Sequence, residues 1–143
     1  MKIVIDTSAI ISGLLRDSIV RRIMTSGKLK FFVPEKAISE MLKYREYICK
    51  KTNMRIDDFY NLVLVLLKNI KIIPFKKIKE YLPEAESIAK EIDVNDSEFI
   101  ATCFAIKADG IFTFDKDFTR QDKIKVFSTE ELLRYINPAR SSL

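Results

Sequence analysis

Aspartates mark the places where apolar strand-like runs end or helical patterns begin. Asp6 closes Ile3-Val4-Ile5, Asp96 stands in Asn95-Asp96-Ser97-Glu98, and Asp115 and Asp117 follow Thr113-Phe114. Glu40 joins them from a helical pattern, roughly a turn and a half past Pro34. The chain has no histidine, which excludes Ser-His-Asp and Cys-His relays and imidazole ligation. Its three glycines, Gly13, Gly27 and Gly110, cannot be written into a dinucleotide fingerprint or an NTP phosphate loop. Carboxylates, hydroxyls, lysines or a metal remain. Crowded carboxylates repel and hold raised pKa values unless a cation neutralises them, and an oxygen-only donor set selects Mg²⁺ or Mn²⁺. Such a metal makes a nucleophile of bound water at neutral pH and stabilises charge on a phosphoryl group, which is phosphodiester hydrolysis without histidine.

The elements that must position these residues alternate between two periods. Lys2–Ile5 is a short β-branched run, and Ile10, Ile11, Leu14 and Leu15 follow at helical spacing. A second helix is expected from about Ser18 to Met24, stopped near Gly27, then a strand over 29–33 closed by Pro34. Ala37, Ile38, Met41, Leu42, Arg45 and Ile48 share one face, so one helix is expected from Pro34 to about Cys49, with proline in its first turn. Asp57 and Asp58 open a helix carrying Phe59, Leu62, Val63, Leu66 and Leu67, and a third strand is expected over 70–75, interrupted by Pro74. Pro83 starts a helix to Ile92. Asn95-Asp96-Ser97-Glu98 reads as a capping signature for the next helix, through Ile106. Strands four and five are expected over 110–114 and 124–127, and Ser128-x-x-Glu131 caps a last helix to Ile136.

Strands separated by helices predict an α/β fold: a parallel sheet with helices on both faces and right-handed crossovers. Strands one and four then point the same way, so Asp6 and Asp115 share the carboxyl edge, where ligands of such sheets bind. The helix opened by Asp96 runs back antiparallel to strand four, which puts its N-terminus at that edge too. Periodicity permits Glu40 to reach the same crevice without requiring it. Lys116, Arg120 and Lys123 flank this edge and are candidates to hold phosphates. Lys43-Tyr44-Arg45-Glu46-Tyr47, with Lys50, Lys51 and Arg55 beyond, mixes base and aromatic as a nucleic-acid surface does, and equally as a solvated helix face does. The plain alternatives stand beside these readings: Asp6 and Asp96 as helix caps, Glu40 as a solvated helical residue, Asp115 and Asp117 as ordinary turn residues.

A chain of 143 residues, 48% hydrophobic, fits one domain over 1–137 with a loose tail over 138–143. No apolar run approaches the roughly 20 residues of a membrane span, and Asp6 interrupts the start before any leader-like stretch develops. A cytoplasmic location is therefore expected. Cys49 and Cys103 form neither a C-x-x-C pair nor a disulfide framework, and both read as reduced thiols, Cys103 in the core. The net charge of +5 favours acidic partners such as nucleic acid.

At Ile3-Val4-Ile5-Asp6-Thr7-Ser8, at Asp96-Ser97-Glu98-Phe99-Ile100-Ala101 and at Thr113-Phe114-Asp115-Lys116-Asp117-Phe118 the chain resembles the PIN-domain family. The resemblance spans nearly the whole sequence. It implies a three-layer Rossmann-like fold with strand order 3-2-1-4-5 and a Mg²⁺- or Mn²⁺-dependent ribonuclease acting on RNA. Many small members are VapC-type toxins paired with an antitoxin protein, and homodimers are common. Carried over by motif, Asp6, Glu40, Asp96 and Asp115 form the acidic, metal-binding quartet with Asp117 as a fifth acid. Thr7 and Thr113 orient carboxylates or metal-bound water. One departure is the spacing after strand four: many toxin members have a longer interval between their acids, whereas here Lys116 alone separates Asp115 from Asp117, leaving open which of them meets metal. A non-catalytic binding or scaffold module is the competing reading. A haloacid-dehalogenase phosphatase ranks last, because its second strand-end aspartate would fall at Ser8.

Overall fold

The computed structural model describes residues 1–16 and 19–138. Five strands, β1 (Lys2–Ile5), β2 (Lys30–Pro34), β3 (Ile70–Ile73), β4 (Gly110–Phe112) and β5 (Val126–Phe127), form one sheet in the order β3-β2-β1-β4-β5. Every pairing is parallel, with Val4 opposite Phe32 on one side and Ile111 on the other. Ile3, Val4 and Ile5 are fully buried, because a central parallel strand is covered on both faces and must be apolar at consecutive positions. The expected strand order and fold class are those observed.

The helices are α1 (Thr7–Leu15), α2 (Ile19–Thr25), α3 (Lys36–Lys43), α4 (Arg45–Thr52), α5 (Ile56–Leu67), α6 (Phe75–Ile78), α7 (Leu82–Ala89), α8 (Ser97–Ile106) and α9 (Thr129–Ile136). α1 packs on α2 across Gly13, where an added Cβ would lie 2.9 Å from Met24 Sδ. Gly27 adopts φ +74° after α2, as a helix stop requires. The capping box of α9 forms on both sides, Ser128 Oγ accepting from Glu131 N and Glu131 Oε1 accepting from Ser128 N.

Several boundaries differ from expectation. The single helix expected from Pro34 to Cys49 is two, broken at Tyr44 (φ −93°, ψ 4°), whose N–H returns to Met41 O before Ile48 N takes up Tyr44 O. Pro34 closes β2 by pairing with Ile73 and does not occupy the first turn of α3. β3 stops at Ile73, and Phe75 starts α6 with Pro74 at its N-cap, since proline presets the first turn of a helix. β4 ends at Phe112. β5 is only two residues long, because Ile124 is held in a loop by Gln121, whose Nε2 donates to Ile124 O and whose Oε1 accepts from Ile124 N. Ser18 lies outside the described residues, as does the expected tail from 139 onward. Cys103 is buried and Cys49 partly so, both as free thiols. Among the described residues no helix is long and apolar enough to cross a membrane.

Candidate active site

Asp6 sits one residue past β1 and remains in the ladder, its N–H donating to Phe112 O at 2.9 Å. Its side chain is 6% exposed and makes no cap bond to α1, so the capping reading fails. Asp6 Oδ2 instead accepts from Ser8 Oγ (2.9 Å) and Thr113 Oγ1 (2.8 Å). Each hydroxyl is itself oriented: Ser8 Oγ accepts from Phe114 N at 3.1 Å, and Thr113 Oγ1 from Asp115 N at 3.0 Å. A hydroxyl that receives a backbone N–H directs its own proton elsewhere. Two relays of backbone amide, hydroxyl and carboxylate therefore converge on one oxygen and fix the orientation of the strand-end acid.

Glu40 lies on α3, and Thr7 Oγ1 donates to its Oε1 at 2.9 Å. This contact joins the start of α1 to the helix after β2, and it draws Glu40 to the crevice that periodicity only permitted. Asp6, Thr7, Ser8, Glu40 and Asp96 line one open cavity of about 400 Å³, together with Ile11, Tyr44 and the buried Phe99 ring.

Asp96 ends a short 3-10 turn, Val94–Asp96, at the N-cap position of α8, and here too the side chain makes no cap bond. The turn is capped one step earlier, by Asp93 Oδ1 accepting from Asn95 N. The expected capping signature at Asn95–Glu98 is therefore misplaced, because the 3-10 turn lets Asp93 take the role and frees Asp96. Asp96 Oδ2 is buried with no hydrogen-bond partner among the described residues. Burial, then the neighbouring charges of Asp6, Asp115 and Asp93, push the Asp96 carboxyl up to about 7, and Lys36 opposes them. Lys36 is tied to the same corner, its Nζ donating to Asn95 O and standing 3.8 Å from Glu98 Oε2.

Asp115 holds the turn after β4, its Oδ1 accepting from Asp117 N at 2.9 Å, while its charge faces Asp96. Asp117 turns to Arg120, 3.2 Å away in an exposed ion pair. Arg120 and Asp117 thus engage each other and line neither cavity named here. Lys123 is exposed, with its N–H donating to Gln121 Oε1. Lys116 lines a second, mainly apolar cavity of about 540 Å³ beside Thr113, Phe114 and Asp115. The fold therefore brings together Asp6, Thr7, Glu40, Asp96, Thr113 and Asp115, and leaves Asp117, Arg120 and Lys123 on the periphery.

Sequence reasoning overlooked Ser8 and Lys36. Ser8 had a signal, a hydroxyl two residues past a strand-end aspartate, but its other partners lie 105 and 106 residues away. Lys36 gave none.

Among the described residues no three acidic or thiol side chains close around a single metal position. Mg²⁺ does not require such a cage, since it keeps several waters and takes one or two carboxylates plus substrate phosphates. The donor set fits that mode: a fixed carboxylate, Asp6, and an orphaned carboxylate oxygen on Asp96, whose charge is opposed by its neighbours and would be relieved by a cation. The sequence profile of the PIN domain family matches residues 4–137, a span that contains every site residue named above. No curated protein matches the sequence.

Proposed function

The chain belongs to the PIN-domain family, a family of nucleases, and from that premise we propose that it is a Mg²⁺- or Mn²⁺-dependent endoribonuclease that hydrolyses RNA phosphodiester bonds. The observation that carries this reading is Asp96: a buried carboxylate oxygen with no hydrogen-bond partner among the described residues, beside the charges of Asp6, Asp115 and Asp93. A structural carboxylate would be satisfied by a donor. Asp96 is left short of positive charge, and a hard divalent cation supplies it. Asp6 and Asp96 would hold the ion, with Asp115 closing the cluster from the β4 side in preference to Asp117, which Arg120 engages.

A divalent ion bound there would lower the pKa of an attacking water and offset charge on the phosphoryl oxygens. The protein's own part is positional. Ser8 and Thr113 hold Asp6 in one orientation through its Oδ2. Thr7 sets Glu40 at the cavity wall, where its second carboxylate oxygen is the candidate to orient a water. Lys116, with Arg120 and Lys123 further out, would meet the phosphates of a strand crossing this edge.

Within this reading, a VapC-type toxin is one form that small members of the family take, with an antitoxin protein as partner and a homodimer as the working unit, although the Asp115-Lys116-Asp117 spacing departs from many toxin members. An antitoxin reading frame beside the gene and co-purification of its product test that form; neither bears on the chemistry. The chemistry is tested by incubating purified protein with labelled single-stranded RNA in Mn²⁺, Mg²⁺ or EDTA, beside Asp6→Asn. Cleavage that needs metal and disappears in the variant is expected. RNA retained without cleavage under every condition would replace the nuclease with a binding module.

A further inference from the structure

Two half-exposed aromatic rings stand on opposite flanks of the carboxylate cleft. Tyr44, 47% exposed, lines the Asp6–Asp96 cavity from the break between α3 and α4, on the β2 side of β1. Phe114, 46% exposed, stands two residues past the end of β4, on the other side of β1. Its backbone is fixed to the site by the Phe114 N to Ser8 Oγ bond, and its ring leans on Phe112 with centroids 5.5 Å apart. Neither ring is where local patterning alone would leave an aromatic. Tyr44 interrupts what would otherwise be one continuous helix, and Phe114 follows three buried residues at a strand end.

Both rings come with cations. Lys43 and Arg45 flank Tyr44 in sequence and line an adjoining groove, and Lys116 lies beside Phe114 in the second cavity. Tyr44 reaches the cleft from the helix that follows β2 and Phe114 from the end of β4, the two strands on either side of β1, which Asp6 follows. An aromatic face next to a cation is the arrangement that holds an unpaired base and its phosphate without reading sequence.

We propose that Tyr44 and Phe114 form a bracket for single-stranded nucleic acid, each stacking one unpaired base on either side of the phosphate presented to Asp6 and Asp96. This rests on the nucleic-acid substrate of the nuclease reading, but not on catalysis. A paired duplex does not satisfy the bracket, because its bases already stack on one another and cannot splay to two separate rings. The bracket therefore restricts the substrate to loops, bulges, ends or unpaired strands.

The test uses the full chain in EDTA, so that binding is read without turnover. Because the protein contains no tryptophan, the fluorescence of 2-aminopurine placed singly along a short RNA reports base stacking without protein interference. Quenching is expected at two nucleotide positions, one lost in Tyr44→Ala and the other in Phe114→Ala, with affinity falling roughly 5- to 150-fold in each. Tyr44→Phe and Phe114→Tyr should retain both signals. An abasic nucleotide at the matching position should erase the penalty of the corresponding alanine variant, a result that a folding defect would not produce. Unchanged affinity and quenching in both alanine variants, or failure of wild type to bind unpaired RNA more tightly than duplex, would overturn the bracket. Stacking without metal-dependent cleavage would leave the bracket standing and remove the nuclease; cleavage without stacking would do the reverse.

Discussion

The two ends of the sheet treat acidic charge in opposite ways. At the amino end of β1, Lys2 N donates to Asp109 Oδ2 at 2.7 Å, Asp109 N donates back to Lys2 O, and Lys2 Nζ reaches Ile106 O. There the acid is spent on closing the scaffold. At the carboxyl end, Asp96 stands among the charges of Asp6 and Asp115, and among the described residues one of its oxygens has no donor. A fold under selection for stability alone would satisfy both ends. The difference separates residues that hold the sheet from residues held by it, and it can be broken or sharpened by altering each end in turn.

The largest effect is expected from removing both relays to Asp6. Ser8→Ala with Thr113→Val should lower RNA cleavage by up to about 100-fold, the range seen when the partners orienting a metal ligand are lost. Measured kcat/KM against the melting temperature should show activity falling far more than stability. At the scaffold end, Gly110→Ala should do the opposite. Its Cβ would lie 2.5 Å from Lys125 O and 2.6 Å from the Phe127 ring, so chemical denaturation should register a loss of roughly 3 kcal/mol, with cleavage per folded molecule unchanged.

Asp96 predicts a pH signature. Its folded-state carboxyl titrates near 7, above the ordinary 3.8, so between those values the folded chain binds a proton that the unfolded chain does not. Stability from this group is then full at low pH and declines as pH rises toward 7. Asp96→Asn should melt higher than wild type at pH 8, by the equivalent of about 1 kcal/mol after solvent screening, and the gap should close near pH 4. Millimolar Mn²⁺ should raise the wild-type melting temperature and leave the variant less affected. A gap independent of pH would mean that the asparagine acts through packing rather than charge. The smallest effect belongs to Asp109→Asn: below about 1 kcal/mol for an exposed contact, with cleavage at the wild-type level.

The strand-end acids were legible because parallel topology alone fixes their edge: once Asp6 and Asp115 end strands separated by helices, no other placement is available. The strand order came from the family motifs and not from periodicity. Boundaries set by single local bonds were not legible. The apolar face from Ala37 to Ile48 reads as one helix because two consecutive short helices carry the same 3.6-residue period as one long one. Only the Tyr44 backbone distinguishes them. Ile124 reads as the start of a strand over 124–127, yet Gln121 holds it in a loop. Asp96 looked like a cap because its position is a cap position. What freed its side chain was Asp93, three residues upstream, taking the turn instead. Ser8 escaped notice because, Asp6 aside, its partners Thr113 and Phe114 are distant in sequence and near only in space.

β5 pairs through two residues alone. An outer strand exposes its unpaired amides and carbonyls to any passing chain, and a long flat one invites edge-to-edge stacking into fibres. Here the last rung offers too little backbone for a foreign strand to extend, and Lys125, with its ammonium 4.8 Å over the Phe127 ring, sets a charge beside it. The same brevity that makes β5 hard to recognise guards this margin of the sheet against polymerisation at high concentration.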